Sequence, residues 1–292
     1  MTLSYKDVRN AVEQKFKKAT IDDMVEFVKN EKLDLGGHEQ GKHFQRRTVY
    51  LQLYKDSVGI SFSALSRATK LWYNVNHKTL DHNIKKTRKC LYSWGKSKVK
   101  PGNVFEWRAA VKKVSIPKSV CGTLLWIDST DCQIERHGHA LVHPNYSGKI
   151  MKVALRRMVI SDGKRRIRYF SDGYTPKLYD SHWAKINKVM LVEKFGDSVF
   201  IGDGHFQKFQ NETGIKCYTP ILTAVGKKKS EEQLSEGQQK FNREQKALRS
   251  ICEGIFGEIK TKFVALSRAW AESQHQQDYL FAIACGVHNF EL

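Results

Sequence analysis

The chain has 292 residues and carries 50 Lys+Arg against 30 Asp+Glu, a formal charge of +20 at pH 7. Hydrophobic residues make up 40% and aromatics 11%, with only 5 Pro, which excludes a disordered chain and leaves room for two packed domains. The longest apolar runs fall short of the ~18 residues of a membrane span, MTLSYKDVRN has no apolar signal core, and the six cysteines form no CxxC pair, so an intracellular, reduced protein without a membrane partner is expected.

In chain order, Val8, Val12 and Phe16 recur at spacing four and predict a first amphipathic helix. Thr20 followed by Asp23 reads as the N-cap of a second, ahead of Met24, Phe27 and Val28. The stretch LDLGGHEQGKH (33–43) reads as a linker. TVYLQLYKD predicts a third helix, and Gly59 and Ser61 open a fourth that carries Phe62, Leu65 and Ala68 and ends near Leu71–Trp72. YNVN is a turn, and HKTLDHNIKKTRKCLYSW is a helix with Leu80, Ile84 and Leu91 inward. SKVKPGN (97–103) reads as a second linker before a short helix around FEWRAAVKKV.

After Ser115 the texture changes to strands: TLLWIDS, then KIMKVALRRMVIS and RRIRYFSDG joined as a hairpin at SDGK. A helix over 180–195, a strand SVFIGD, a short strand near CYTPIL, a lysine-rich loop and a long helical region complete the chain. The expected organisation is an N-terminal helical segment (1–39), a basic helix-turn-helix-like region (40–115) and an α/β domain with a mixed sheet (116–292).

The charge is concentrated. Residues 1–39 hold 7 Lys+Arg and 8 Asp+Glu, residues 40–118 hold 18 and 3, and residues 119–292 hold 25 and 19. An excess of +15 in one helical segment points to a nucleic-acid-binding module. Helix, turn and basic helix suggest a helix-turn-helix, in which Asn76, Lys78, Thr79 and His82 face base edges while Lys85, Lys86, Arg88 and Lys89 lie along phosphates. The same KKTRK run also suits a nuclear localisation patch.

Two apolar strands run into aspartate, LLWID at Asp128 and VFIGD at Asp203. An acid at the end of a buried strand is costly unless it is solvated, paired or bound to a cation. Glu253 falls near the apolar stripe of a helix with Ala247, Leu248, Ile251, Ile255, Ile259 and Phe263 at helical spacing. Converging, the three acids would make a hard-oxygen site for Mg²⁺ or Mn²⁺, suited to two ions and phosphoryl transfer. The spacing leaves open a turn residue at Asp128 and a helix-face ion pair between Glu253 and Arg249 or Lys260.

From residue 123 onward the sequence resembles a DDE-type transposase of the Harbinger kind, related to bacterial insertion-sequence transposases. The resemblance is carried by IDST (127–130), Tyr146 and the basic strand after it, GYTPKLYDS (173–181), GDGHF (202–206), YTP (218–220), Asn242, RSICEGIFGEIK (249–260) and GVHNF (286–290), in the family's order. It implies a ribonuclease-H-like fold with the first and fourth strands adjacent. It implies catalytic, metal-binding roles for Asp128, Asp203 and Glu253, and supporting roles for Asp180, Arg249 and Lys260. Ser129 stands where family members often have Gly.

The function implied is a metal-dependent DNA endonuclease and strand transferase. It would act on double-stranded DNA, both transposon ends and target, as a homo-oligomer and without a small-molecule cofactor. The setting would be the nucleus of a eukaryotic host, otherwise the cytoplasm or nucleoid. The alternatives are a domesticated DNA-binding protein without catalysis and another ribonuclease-H-like nuclease acting on RNA or hybrids. Cys132, His137, His139 and His143 match no common zinc spacing, and Cys252 reads as a core residue rather than a nucleophile.

Overall fold

The computed structural model describes residues 2–31, 35, 43–70, 73, 75–112, 114–135, 143–221 and 234–292. In chain order these form α1 (Tyr5–Glu13), α2 (Lys18–Asn30), α3 (Phe44–Val58), α4 (Phe62–Thr69), α5 (His77–Lys98), α6 (Val104–Val111), β1 (Leu125–Gln133), β2 (Tyr146–Ser147), β3 (Lys152–Asp162) and β4 (Ile167–Phe170). Then follow α7 (Asp180–Ile186), α8 (Lys188–Phe195), β5 (Phe200–Ile201), α9 (Phe209–Thr213), β6 (Cys217–Tyr218), α10 (Glu236–Lys262) and α11 (Gln274–Glu291). They group into two compact units, one of Met1–Val99, Cys132–Gly138 and Glu258–Leu292, the other of Lys100–Asp131 and His139–Gly257.

The first unit is helical. The Ser4 side chain accepts from the Asp7 N–H while Asp7 accepts from the Ser4 N–H, a capping box that starts α1. The cap expected at Thr20 is not there: α2 begins at Lys18, and the Thr20 hydroxyl donates to Glu291 Oε1 at 2.9 Å. Gly59, at φ 71, closes α3, and Ser61 caps α4 by accepting from the Ala64 N–H. The fourth helix ends at Thr69, and Leu71 and Trp72 lie outside the described residues. In α5, Leu80, Ile84, Leu91 and Trp94 are buried, and its partner is α11. The two helices meet at glycine: a Cβ on Gly95 would stand 2.4 Å from the Ala282 carbonyl oxygen, and one on Gly286 2.6 Å from the Gly95 Cα.

The second unit is built on a mixed sheet of order β2-β3-β1-β5-β6, with β4 also paired to β3. β2–β3 and β3–β4 are antiparallel, whereas β1–β5 and β5–β6 are parallel. Leu125, Ile127, Met158, Ile160 and Phe200 from the sheet pack with Trp183, Leu191, Phe195, Phe206 and Phe209. Strands buried on both faces read as apolar runs, which is why the sequence shows them without alternation.

Three expected elements differ in extent. The helix expected over 180–195 is interrupted at Asn187, where the backbone leaves helical geometry (φ −96, ψ 16) while its N–H and its side-chain amide both donate to the Trp183 carbonyl, at 3.0 and 2.9 Å. The strand SVFIGD pairs only at Phe200–Ile201. β1 does not stop at Asp128 but runs on to Gln133, with Ser129, Thr130 and Asp131 buried.

Candidate active site

The parallel register of β1 and β5 pairs Leu125 with Phe200 and Trp126 with Ile201. Asp128 and Asp203 each stand two residues beyond the last pair, so a matched register delivers both acids to the same level of the sheet. Asp128 is 5% exposed and accepts a hydrogen bond from the Ser129 N–H at 2.7 Å on Oδ1. Asp203 opens the short 3₁₀ turn Gly204–Phe206, and its Oδ1 accepts from the His205 N–H at 2.8 Å. Gly202 is required just before it, because a Cβ there would stand 2.9 Å from the Phe206 ring.

Side chains two apart on a strand share a face, so Trp126 lies on the Asp128 face of β1. Its indole N–H donates to the Leu248 carbonyl at 2.9 Å, and the Gln245 side-chain amide donates to the Gly202 carbonyl at 2.5 Å. Asn242 holds Ile221 through both its amide groups, at 2.8 and 3.1 Å. These bonds dock α10 on the sheet and bring in Arg249, whose Nη2 stands 3.8 Å from Asp128 Oδ2 and 3.9 Å from Asp203 Oδ2. One guanidinium nitrogen therefore bridges two carboxylates at ion-pair range, beyond hydrogen-bond reach. Burial pushes the Asp128 carboxyl up to about 6; Lys149 opposes the shift, the Asp203 charge adds to it, and Arg249 and the Ser129 N–H oppose it again.

Glu253 lies one helical turn past Arg249 on α10 and is exposed. The apolar stripe of α10 holds at Leu248, Ile255, Ile259 and Phe263, while Ala247 is exposed. Among the described residues no group of three His, Cys, Asp or Glu side chains stands with metal-ligand geometry. The structure thus brings Asp128 and Asp203 together and does not bring Glu253 into contact with them. The donor set still suits a hard divalent cation: two carboxylates, one of them buried, face a shared position that Arg249 approaches only to 3.8–3.9 Å. Cys252 is buried and its thiol is pushed up by that burial, which suits a core residue rather than a nucleophile.

The opposite face of β1 carries a second polar cluster. The Ser129 hydroxyl donates to Asp180 Oδ2 at 3.0 Å. Arg156 binds Asp131 through Nε at 2.8 Å and Nη2 at 3.1 Å, and its Nη1 stands 3.6 Å from Asp180 Oδ1. Asp180 is buried, and burial raises its carboxyl, with Arg156 opposing. Asp131 is lowered on balance, because its bonds from Arg156 and Ser147 outweigh its burial. Sequence reading missed Trp126, Gln245, Asp131 and Arg156. The available signal was the IDSTD run itself, which alternates polar side chains to both faces of a strand that does not end at Asp128.

In the helical unit, Asn76 caps α5 by accepting from the Thr79 N–H at 2.8 Å. Lys78, His82 and Lys89 are exposed, Thr79, Lys85 and Lys86 half-buried, and Lys85 pairs with Asp81 at 2.8 Å. Arg88 corrects the expectation of a phosphate-facing residue. It is fully buried, with Asp56 at 2.6 Å and Glu272 at 2.8 Å, because its position on α5 faces the helices it packs against. Lys260 is half-buried near the end of α10. His137, His139 and Lys227–Lys229 lie outside the described residues.

A mixed α/β sheet flanked by helices, with two acids delivered in register from neighbouring parallel strands, is compatible with the ribonuclease-H-like catalytic domain that the motif order implies. Residues 127–289 match the family described as DDE superfamily endonuclease, more than half of the chain. The chain belongs to that family. No curated protein and no solved structure matches it. No helix of the described residues is long and apolar enough to cross a membrane.

Proposed function

We propose that the chain is a DNA transposase of the Harbinger kind, with residues 116–292 as its catalytic region and the basic helices of 40–115 as a helix-turn-helix-like module for transposon-end DNA. The observation that carries the reading is the in-register pair Asp128 and Asp203 facing one Arg249 nitrogen, inside the stretch that matches the endonuclease family. Asp128 and Asp203, with Glu253 from α10, would hold Mg²⁺ or Mn²⁺, two ions in the full site. Bound there, divalent cations supply positive charge to the phosphoryl oxygens and to the attacking and leaving oxygens.

The chain's own groups set the stage for that chemistry. The Ser129 N–H and the His205 N–H each fix one oxygen of Asp128 and Asp203 and leave the other directed to the shared position. Arg249 offsets one of the two negative charges and presents a planar donor suited to a DNA phosphate. The reaction class is hydrolysis of a phosphodiester that leaves a 3′-hydroxyl, followed by attack of that hydroxyl on target DNA with loss of the target's own 3′-oxygen. Processing two ends together calls for a homo-oligomer.

In the test, Asp203→Ala is expected to abolish Mn²⁺- or Mg²⁺-dependent cleavage of end DNA, and cleavage at the wild-type rate would sink the assignment. A second reading, a DNA-binding protein without catalysis, is favoured by the exposed position of Glu253. Saturable Mn²⁺ binding that is lost in Glu253→Gln separates the two, since only the catalytic reading requires it.

A further inference from the structure

The turn between β3 and β4 carries three consecutive cations, Lys164, Arg165 and Arg166. It is held against α10 on both sides of Glu253. One residue before Glu253, the Cys252 sulfur lies 3.6 Å from the Ser161 hydroxyl at the end of β3. One residue after it, Gly254 faces Arg165, and a Cβ at 254 would stand 2.9 Å from Arg165 Nη2. Glycine at 254 thus leaves the space that the guanidinium crosses.

Arg165 adopts φ 67, a left-handed conformation uncommon outside glycine. Gly163 is available in the same turn, yet the left-handed position falls on the arginine. Asp162 enforces this. Its Oδ1 accepts from the N–H groups of Lys164 and Arg166 at 2.8 and 3.1 Å, its own N–H donates to the Arg166 carbonyl at 3.0 Å, and its other oxygen pairs with Arg168 at 2.7 Å. Lys164 and Arg166 are exposed on either side. A strained residue held in place by a hydrogen-bonded frame motivates a functional hypothesis. A guanidinium is the side chain whose planar fork fits a phosphate.

We propose that the Lys164–Arg165–Arg166 tip binds the DNA backbone beside the cleaved bond, with Arg165 as a substrate-phosphate ligand next to Glu253. The proposal rests on the reading of the Asp128/Asp203 site as DNA-cleaving, and adds a DNA contact outside the acids and α10. The full chain is assayed for binding of a fluorescein-labelled DNA duplex over a salt series, for Mn²⁺-dependent nicking of plasmid DNA, and for thermal stability.

Arg165→Gly relieves the left-handed strain, so its Tm should match or exceed that of the wild type. The slope of log affinity against log salt should fall by about one, and the KM for nicking should rise severalfold with kcat little changed. Arg165→Lys should recover part of the slope. The exposed pair Lys164→Gln with Arg166→Gln should lower the slope by about two with no change in Tm. An Arg165→Gly protein with the wild-type salt slope and KM would overturn the proposal, as would a lowered Tm with an unchanged slope, which would make the residue structural. If the wild type does not nick DNA while the slopes fall as expected, the cleavage reading fails and the backbone contact stands.

Discussion

Two arginines in this chain each stand between two carboxylates, and they are held very differently. Arg88, fully buried in the helical unit, sits 2.6 Å from Asp56 and 2.8 Å from Glu272. Arg249, in the α/β unit, sits 3.8 Å from Asp128 and 3.9 Å from Asp203 and keeps part of its surface open to solvent. The first triad is closed, with charges matched by short hydrogen bonds, as a buried ion network must be. In the second, one guanidinium faces two carboxylates without short bonds between the partners, so its acids keep lone pairs and a net negative charge for another cation. The same three charges are clamped by short bonds in one place and held apart at 3.8–3.9 Å in the other.

That contrast can be broken most severely at the acids. Asp128→Asn should lower metal-dependent DNA cleavage by on the order of 10³-fold, measured as single-turnover rate, while thermal stability stays the same or rises because a buried charge is removed. The closed triad should respond in the opposite way: Arg88→Ala leaves the buried Asp56 without its partner and Glu272 with Lys55 alone, and should cost about 3–5 kcal/mol in urea unfolding. Removing the loosely held cation should cost far less, with Arg249→Gln within about 1 kcal/mol of wild type in the same unfolding experiment.

The docking bonds of α10 come next. Gln245→Ala should cost about 1–2 kcal/mol and weaken cleavage through misplacement of Arg249 rather than loss of a charge, read as a change in both Tm and rate. The smallest effect is on titration. In the metal-free protein Asp128 titrates near 6 instead of its ordinary 3.8, so the folded state holds the proton more tightly than the unfolded chain. Stability from this group therefore falls as pH rises between about 4 and 6 and is level above that window. Asp203→Asn should shift the midpoint downward, since the Asp203 charge raises it, and carboxyl ¹³C chemical shifts would report it. A midpoint unmoved by the substitution would mean that the two acids are not neighbours.

Much of the architecture was legible because burial writes itself into local pattern. The stripe Leu80, Ile84, Leu91 on α5 and the apolar runs of β1 and β3 are buried as their spacing implies. Asp128 and Asp203 stood out because an acid ending an apolar run is costly. Where the reading failed, a side chain had found a distant partner. Thr20 has the chemistry of an N-cap, but its hydroxyl is bound to Glu291. Arg88 belongs to a basic run, but one side of α5 is interior and Arg88 is on it. At Asn187 a periodic helix is interrupted by a local change of backbone geometry that the flanking periodicity does not show. Arg165 carries no mark in the sequence at all, because a left-handed arginine becomes visible only when the turn is folded.

The order of elements, the concentration of charge in residues 40–118 and the identity of the acids are local properties, and the sequence alone determined them. The family match over residues 127–289 draws on the same local order of motifs. Only the tertiary structure decided which charges meet. The pairing of Trp126 with Ile201 sets Asp128 level with Asp203, the Trp126–Leu248 bond delivers Arg249 to both, and the Gly95–Gly286 contact joins α5 to α11 across about two thirds of the chain. Strand pairing and helix crossing join groups far apart in sequence, and hydrophobic periodicity shows which face is buried without naming the distant partner.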